Sequence, residues 1–310
     1  MLTSGATTSA AGKYRWTDRL RAAVEALRPY QWIKNFLVLV PFLAAGNLAD
    51  VSAWRRALTV LVAFCAMSSA VYLLNDMGDL AADRAHPRKR ERPFASGRLP
   101  LAAGLAMLPL LVATGGALVI LGGAPFALIA YATLSLAYTL KLKELPLVDV
   151  FLLAALYTIR MYGGGEASGY AVSTWLLGFS GFLFLSLALI KRVSELSRVR
   201  TPNWTYAAAR RGYYVEDLPI LQTFGIAATF ASSVVLALYV QSEAASNLYH
   251  RPGILFGLVQ LLVFWQCRLW LSTARGYMHD DPIVFAARDW VSWCVFFATA
   301  GVVVAAKVPL

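Results

Sequence analysis

Nine apolar stretches dominate this chain, at approximately 33–49, 57–75, 101–122, 124–140, 146–163, 171–190, 219–240, 253–271 and 288–307. About 20 apolar residues carry a helix across the hydrocarbon core of a bilayer, and each stretch offers that length or close to it. With 59% hydrophobic residues and a mean hydropathy of +0.59, the chain exceeds what a soluble domain of 310 residues carries. The expected fold is therefore all-α: an integral membrane bundle of nine transmembrane helices. Residues 1–12 are small and polar without an apolar core, and read as a disordered tail rather than a cleaved signal. Residues 13–310 then form a single transmembrane catalytic domain. Within it, 13–28 reads as an interfacial amphipathic helix, with Trp16, Leu20, Val24 and Leu27 near one face and Arg15, Arg19 and Arg21 among the polar positions.

Positive charge orients the bundle, because Lys and Arg near helix ends are retained in the cytoplasm. Lys13, Arg15, Arg19, Arg21, Arg28 and Lys34 precede or open the first span, and two long basic loops, roughly 76–100 and 191–218, lie on the same side. The opposite side keeps Arg55, Arg56, Arg251 and Lys307. The N-terminus and the active site are thus expected in the cytoplasm, at the plasma membrane. A net charge of +11 raises the question of nucleic acid, but the basic residues crowd the rim of a membrane bundle. Anionic lipid headgroups and phosphorylated substrates suit that placement better. Homo-oligomerisation is compatible with such a bundle. Cys65, Cys267 and Cys294 fall in predicted helices without metal-ligand spacing and are read as packing residues.

The second span runs straight into Asn75-Asp76-Met77-Gly78-Asp79-Leu80-Ala81-Ala82-Asp83. On a continuous helix Asn75, Asp79 and Asp83 advance by about 40° per step, and Asp76 falls in the same sector. Carboxylates stacked on one face repel unless a cation intervenes, and hard oxygen ligands select Mg²⁺. Magnesium takes its remaining ligands from water and phosphate, so this pattern points to a phosphorylated substrate. Arg84, Arg88, Lys89, Arg90, Arg92 and Arg98 follow in the same loop and supply phosphate-binding charge.

Other groups converge on the same side. Arg192 and Glu195 stand three apart at the end of the sixth span, beside Lys191, and suit either phosphate and metal binding or a helix-terminal ion pair. Asp149 opens the fifth span, where an uncompensated charge is costly and a cavity-facing role is expected. Arg28, Lys34 and Asn35 lie at the mouth of the first span, where Trp32 suits an interfacial anchor, and Tyr138, Lys141 and Lys143 form a similar mouth on the fourth. Arg160 and Arg268 read as snorkelling residues. His279-Asp280-Asp281 before Pro282 reads as an exposed acidic turn.

At these residues the chain resembles the UbiA superfamily of intramembrane prenyltransferases, nine-helix enzymes with a cytoplasm-facing cavity and an aspartate-rich magnesium site. Asn75-Asp76-x-x-Asp79-x-x-x-Asp83 matches the first motif of that family. Arg28-Pro-Tyr-Gln-Trp-Ile-Lys-Asn35, His86-Pro-Arg-Lys-Arg-Glu-Arg-Pro-Phe-Ala-Ser-Gly97 and Lys191-Arg-Val-Ser-Glu-Leu196 are closest to its branch acting on decaprenyl phosphate. Members using a prenyl diphosphate carry a second aspartate-rich motif after the sixth span; this chain has Lys191, Arg192 and Glu195 there. The resemblance implies transfer of 5-phosphoribose from 5-phosphoribosyl 1-diphosphate to a polyprenyl phosphate, for cell-wall arabinan. It further implies Mg²⁺ on Asn75, Asp79 and Asp83 with Asp76 assisting, substrate phosphates on Lys34, Arg88, Lys89, Lys191 and Arg192, and Glu195 orienting metal or ribose hydroxyls. Arg28, Asn35, Arg92, Tyr138, Lys141 and Asp149 complete the expected substrate-binding set. Two alternatives share the features: an aromatic prenyltransferase with an isoprenoid diphosphate donor, and a polyprenyl-phosphate carrier without catalysis.

Overall fold

A computed structural model describes residues 16–86, 89–197, 212–278 and 281–309. The tail at 1–12, Lys13, Arg15, Arg88 and His279-Asp280 lie outside them. Helix α1 (Trp16–Leu27) is followed by a 3₁₀ segment (Pro29–Leu39) and a short α2 (Val40–Ala45). Then come α3 (Val51–Gly78), α4 (Leu80–Ala85), α5 (Leu101–Gly122), α6 (Pro125–Leu140), α7 (Val148–Ser168) and α8 (Thr174–Ser197). The remainder is α9 (Leu218–Val240), α10 (Glu243–Leu248), α11 (Phe256–Ala274), α12 (Pro282–Arg288) and α13 (Trp290–Lys307).

Among the described residues, six stretches are helical, long and apolar enough to cross a membrane: Val51–Gly78, Leu101–Gly122, Thr174–Ser197, Val215–Val240, Pro252–Ala274 and Trp290–Lys307. The chain is thus a multi-pass membrane protein. The run at 33–49 is 3₁₀ helix giving way to α2, where Pro41 removes one backbone donor near the junction. Helix α3 starts earlier than its apolar stretch because the Asp50 side chain accepts a hydrogen bond from the Ala53 amide at 2.9 Å. Arg55 and Arg56 therefore sit in the helix rather than in a loop. Arg56 reaches the end of α7, donating to the carbonyls of Ala167 (2.7 Å) and Ser168 (3.1 Å), which lack helical partners.

Four apolar clusters among the described residues hold the helices, the smallest joining α9, α10 and α13 through Val240, Ala245 and Ala306. Val150, Tyr157, Leu187, Leu221 and Leu269 join α7, α8, α9 and α11. Val38, Val60, Phe64, Val119, Tyr131 and Leu156 join the 3₁₀ segment to α3, α5, α6 and α7. At the end of α3, Ala22 and Ala26 of α1 pack with Leu73, Phe94 and Leu99. Helix α1 thus docks through its small residues and leaves Trp16, Leu20 and Val24 exposed, the division expected of a helix lying in the membrane interface. Cys65 is buried, whereas Cys267 and Cys294 are exposed, so the packing role read for those two is corrected. Their helices α11 and α13 turn those faces away from the bundle.

Candidate active site

Among the described residues, charged side chains from the long loops and the adjoining helix ends meet in three groups. The first forms around the acidic motif. The α-helix does not pass through it unbroken: Asp79 leaves the helical region (φ −92°, ψ 13°), ending α3 and opening α4. The amides of Asp79 and Asp83 still bond to the carbonyls of Asn75 and Asp79, so the side chains stay near one face. Asp76 and Asp83 are buried. Arg28 Nη2 donates to both carboxylate oxygens of Asp76, at 2.5 and 2.8 Å. Arg92 Nη1 lies 3.1 Å from Asp76 and 2.7 Å from Asp83. The cation that relieves the repulsion between these acids is therefore, here, the protein's own guanidinium. Asp79 faces Lys143 of the α6–α7 connection at 3.6 Å.

Two carboxylates converging on one cationic atom also suit a divalent ion. Magnesium accepts one or two carboxylates and fills its other positions with water and phosphate. Among the described residues no set of three His, Cys, Asp or Glu side chains gathers closely enough to hold a metal. Beyond Asp76 and Asp83, ligands must come from the neighbouring Asn75 and Asp79 or from substrate.

The second group lies deeper. Lys34 of the 3₁₀ segment binds Asp281 at 2.7 Å, Lys191 of α8 approaches the same carboxylate at 3.3 Å, and the Tyr157 hydroxyl is 3.3 Å from both its oxygens. Asp281 is buried and also caps α12 by accepting from the Ile283 amide, which overturns its reading as an exposed turn. Burial alone raises its carboxyl pKa, but Lys34 and Lys191 beside it hold it well below the usual carboxylate range. Arg160 does not snorkel either. It is buried and donates to Asn35 Oδ1 (2.8 Å), the Tyr131 hydroxyl (3.0 Å) and the Leu156 carbonyl. Asn35 in turn donates to Ser68 (3.2 Å), tying the 3₁₀ segment to α3. Trp32, expected at the interface, instead donates to Ser69 (3.0 Å), whose hydroxyl bonds to the Leu27 carbonyl. Tyr72, one turn before Asp76, stacks under Arg28 at 5.2 Å and lies in the field of Arg160, Lys191 and Asp281, connecting the two groups.

The third group is closed. Arg192 is wholly buried and bonds to both Asp149 and Glu195. The Tyr213 hydroxyl donates to Asp149 and accepts from the Leu147 amide at 2.8 Å. Leu147 has φ 65° and ψ −45°, a positive-φ conformation unusual for a branched residue, and this bond pins it at the start of α7. Tyr213→Phe is expected to lower stability by roughly 1–3 kcal/mol, because Asp149 and the Leu147 amide each lose a buried partner. Thermal unfolding in detergent measures this; an unchanged midpoint would refute the pinning role.

Lys141 pairs with Glu144 at the surface (2.8 Å) and does not join these groups, while the Lys89 amide donates to His86 Nδ1. Tyr138 lies in the field of Arg192. Arg268 forks onto Asp289 at 2.6 and 2.9 Å, a helix-to-helix pair rather than a snorkelling side chain. Asp281, Arg160 and Tyr157 are the site residues that sequence reasoning missed. An arginine inside an apolar helix was the available signal for Arg160; Asp281 offered none, since its partner Lys34 is 247 positions away.

Known proteins resemble this chain in sequence and in fold. The model of the UbiA prenyltransferase family matches residues 37–201. The nodulation protein NoeC of Azorhizobium caulinodans is 36% identical over 288 residues, covering 90% of this chain and 91% of its own. The uncharacterised protein y4nM of Sinorhizobium fredii is 39% identical over 87% of this chain, which spans only 52% of that longer protein. Decaprenyl-phosphate phosphoribosyltransferase of Corynebacterium glutamicum is 38% identical over 181 residues, 56% of this chain and 54% of that one. Among solved structures, a UbiA homolog from Archaeoglobus fulgidus bound to GPP and Mg²⁺ superposes with a TM-score of 0.68 at 14% identity, covering 91% of this chain and 99% of its own. At that identity the likeness concerns the fold.

Proposed function

The chain belongs to the UbiA prenyltransferase family, and from that premise we propose that it transfers 5-phosphoribose from 5-phosphoribosyl 1-diphosphate to a polyprenyl phosphate. The observation carrying this reading is the basic fork at the end of α8. Lys191 and Lys34 meet there on one carboxylate, at the place where members of the family that use a prenyl diphosphate are expected to hold a second acidic motif. The donor has one more phosphate than an isoprenoid diphosphate, and a site with fewer acids and more lysines suits it. The 38% identity to a decaprenyl-phosphate phosphoribosyltransferase supports the same reading.

In the proposed reaction an oxygen of the lipid phosphate forms a bond to C1 of the ribose as the bond from C1 to the diphosphate oxygen breaks, and the diphosphate leaves with that electron pair. The acceptor is already an anion, so no strong base is required. Asp76 and Asp83, with Asn75 and Asp79 beside them, would hold Mg²⁺, which when bound neutralises charge on the leaving diphosphate. Arg28 and Arg92 fix the carboxylates and can turn toward phosphate oxygens. Arg192 and Asp149 hold α7 against α8 and keep Glu195 at the rim. The bundle is read as nine spans with this end in the cytoplasm of a plasma-membrane protein, from the positive charges along the first and later loops.

Purified protein in detergent, given radiolabelled 5-phosphoribosyl 1-diphosphate, a polyprenyl phosphate and Mg²⁺, is expected to yield an organic-extractable labelled lipid. Label entering only from a prenyl diphosphate onto an aromatic acid would replace this reading with aromatic prenyl transfer. No turnover with either donor would favour a lipid-phosphate carrier.

A further inference from the structure

Between the acidic motif and the Asp281 group stand two neutral polar side chains without a hydrogen-bond partner among the described residues. Gln31 follows Arg28 by three positions, its backbone amide donating to the Arg28 carbonyl at 2.9 Å, and it precedes Lys34 by three. A 3₁₀ helix has about three residues per turn, so Gln31 and Lys34 leave the segment on one side, about 6 Å apart along its axis. Arg28 ends on Asp76 and Lys34 on Asp281, which sets Gln31 between the two groups. Its Oε1 is buried and accepts no hydrogen bond. Tyr72 holds the matching place on α3, with its ring under Arg28 and within the field of Arg160, Lys191 and Asp281. Its hydroxyl makes no hydrogen bond to another described residue. A buried acceptor without a donor costs stability, and its persistence calls for a group that arrives later.

We propose that Gln31 and Tyr72 read the hydroxyls of a sugar ring: Gln31 Oε1 accepts from one ribose hydroxyl, and the Tyr72 hydroxyl donates to the other. The inference rests on the phosphoribosyl-transfer reading. Ribose carries hydroxyls on C2 and C3, between the diphosphate on C1 and the phosphate on C5, whereas an isoprenoid diphosphate and a polyprenyl phosphate carry none. Each hydroxyl both donates and accepts, so a neutral acceptor beside a neutral hydroxyl suits the pair. A site built around a hydroxyl rejects the analogue lacking it, because the site's own polar groups are then left unpaired. Gln31 and Tyr72 thereby set the choice of a sugar donor over an isoprenoid one. Glu195, expected to orient metal or ribose hydroxyls, bonds to Arg192 in the third group.

Full-length protein purified in detergent is titrated calorimetrically with ribose 5-phosphate and with 2,3-dideoxyribose 5-phosphate, which keeps the phosphate and lacks the C2 and C3 hydroxyls. The wild type should bind the ribose form about tenfold more tightly or better. Gln31→Met and Tyr72→Phe should each weaken ribose 5-phosphate by about fivefold or more while leaving the dideoxy ligand within about twofold, so that the ratio shrinks. Neither substitution breaks a hydrogen bond between described side chains, and Tyr72→Phe keeps the ring under Arg28. Both variants should therefore unfold at the wild-type temperature or above it, which separates a ligand contact from a structural support. No binding of ribose 5-phosphate, equal affinity of the wild type for the two ligands, a ratio unchanged in either variant, or a lowered unfolding temperature would each overturn the subsite. Transfer from 5-phosphoribosyl 1-diphosphate is assayed on the same preparations. Transfer alongside any of those results keeps the proposed reaction and removes the subsite; discrimination between the two ligands without transfer does the reverse.

Discussion

Asp83→Asn is expected to lower the rate of lipid labelling by about 10²–10³-fold while the protein remains folded and elutes as the wild type does. The substitution keeps the size of the side chain and removes its charge. Arg92 retains Asp76 as a partner, so the change does not strand its half-buried guanidinium. The same exchange at Asp76 is less clean, because Arg28 and Arg92 both depend on it. What Asp83→Asn removes is one of the two carboxylates that converge on a single point of positive charge, and with it the capacity to hold a divalent ion against a diphosphate. The magnesium concentration giving half-maximal rate should rise in parallel. Activity equal to wild type, at unchanged magnesium dependence, would show that the convergence of Asp76 and Asp83 has no part in the chemistry.

Gly164→Ala is expected to cost about 3 kcal/mol or more, at the upper end of what overpacking exacts. A Cβ at this position would stand 1.7 Å from the Val38 carbonyl oxygen and 2.6 Å from its carbon. Both are backbone atoms, so no rotamer change relieves the clash and the 3₁₀ segment must lift off α7. That contact sets the spacing between Lys34 and Asn35 on one side and Tyr157 and Arg160 on the other, so ligand binding should suffer together with the unfolding temperature. Gly116→Ala in α5, where an added Cβ meets nothing within 4 Å, is the control and should stay within about 1 kcal/mol of wild type. Equal tolerance of the two substitutions would remove the close approach as a determinant of the site.

Six of the nine expected spans come out as helices of membrane length among the described residues, because apolar runs of that length have few other uses, and the acidic motif was legible because its spacing is local. Asp50 shows the limit at boundaries: one capping carboxylate moved the start of α3 several residues ahead of the apolar run. Deeper errors came from pairing. Arg160, Arg268 and Asp281 were each judged alone, and a lone charge near a helix end invites snorkelling or solvent exposure. Their partners Asn35, Asp289 and Lys34 come from other helices, and only packing brings them within 3 Å. Arg192 and Glu195 were the easier case, being three apart on one helix, yet their third member Asp149 is 43 positions from Arg192.

The bond between Lys34 and Asp281 also imposes an order on the making of the protein. Lys34 lies in a segment made well before α12, and its carboxylate is synthesised 247 residues later. At about 5–20 residues per second that interval is roughly 12–50 s, during which an ammonium group waits in or beside lipid without its partner. The segment carrying Lys34 therefore settles last. It has to remain near the headgroups, or be sheltered by the insertion machinery, until α12 arrives to close the bundle over it.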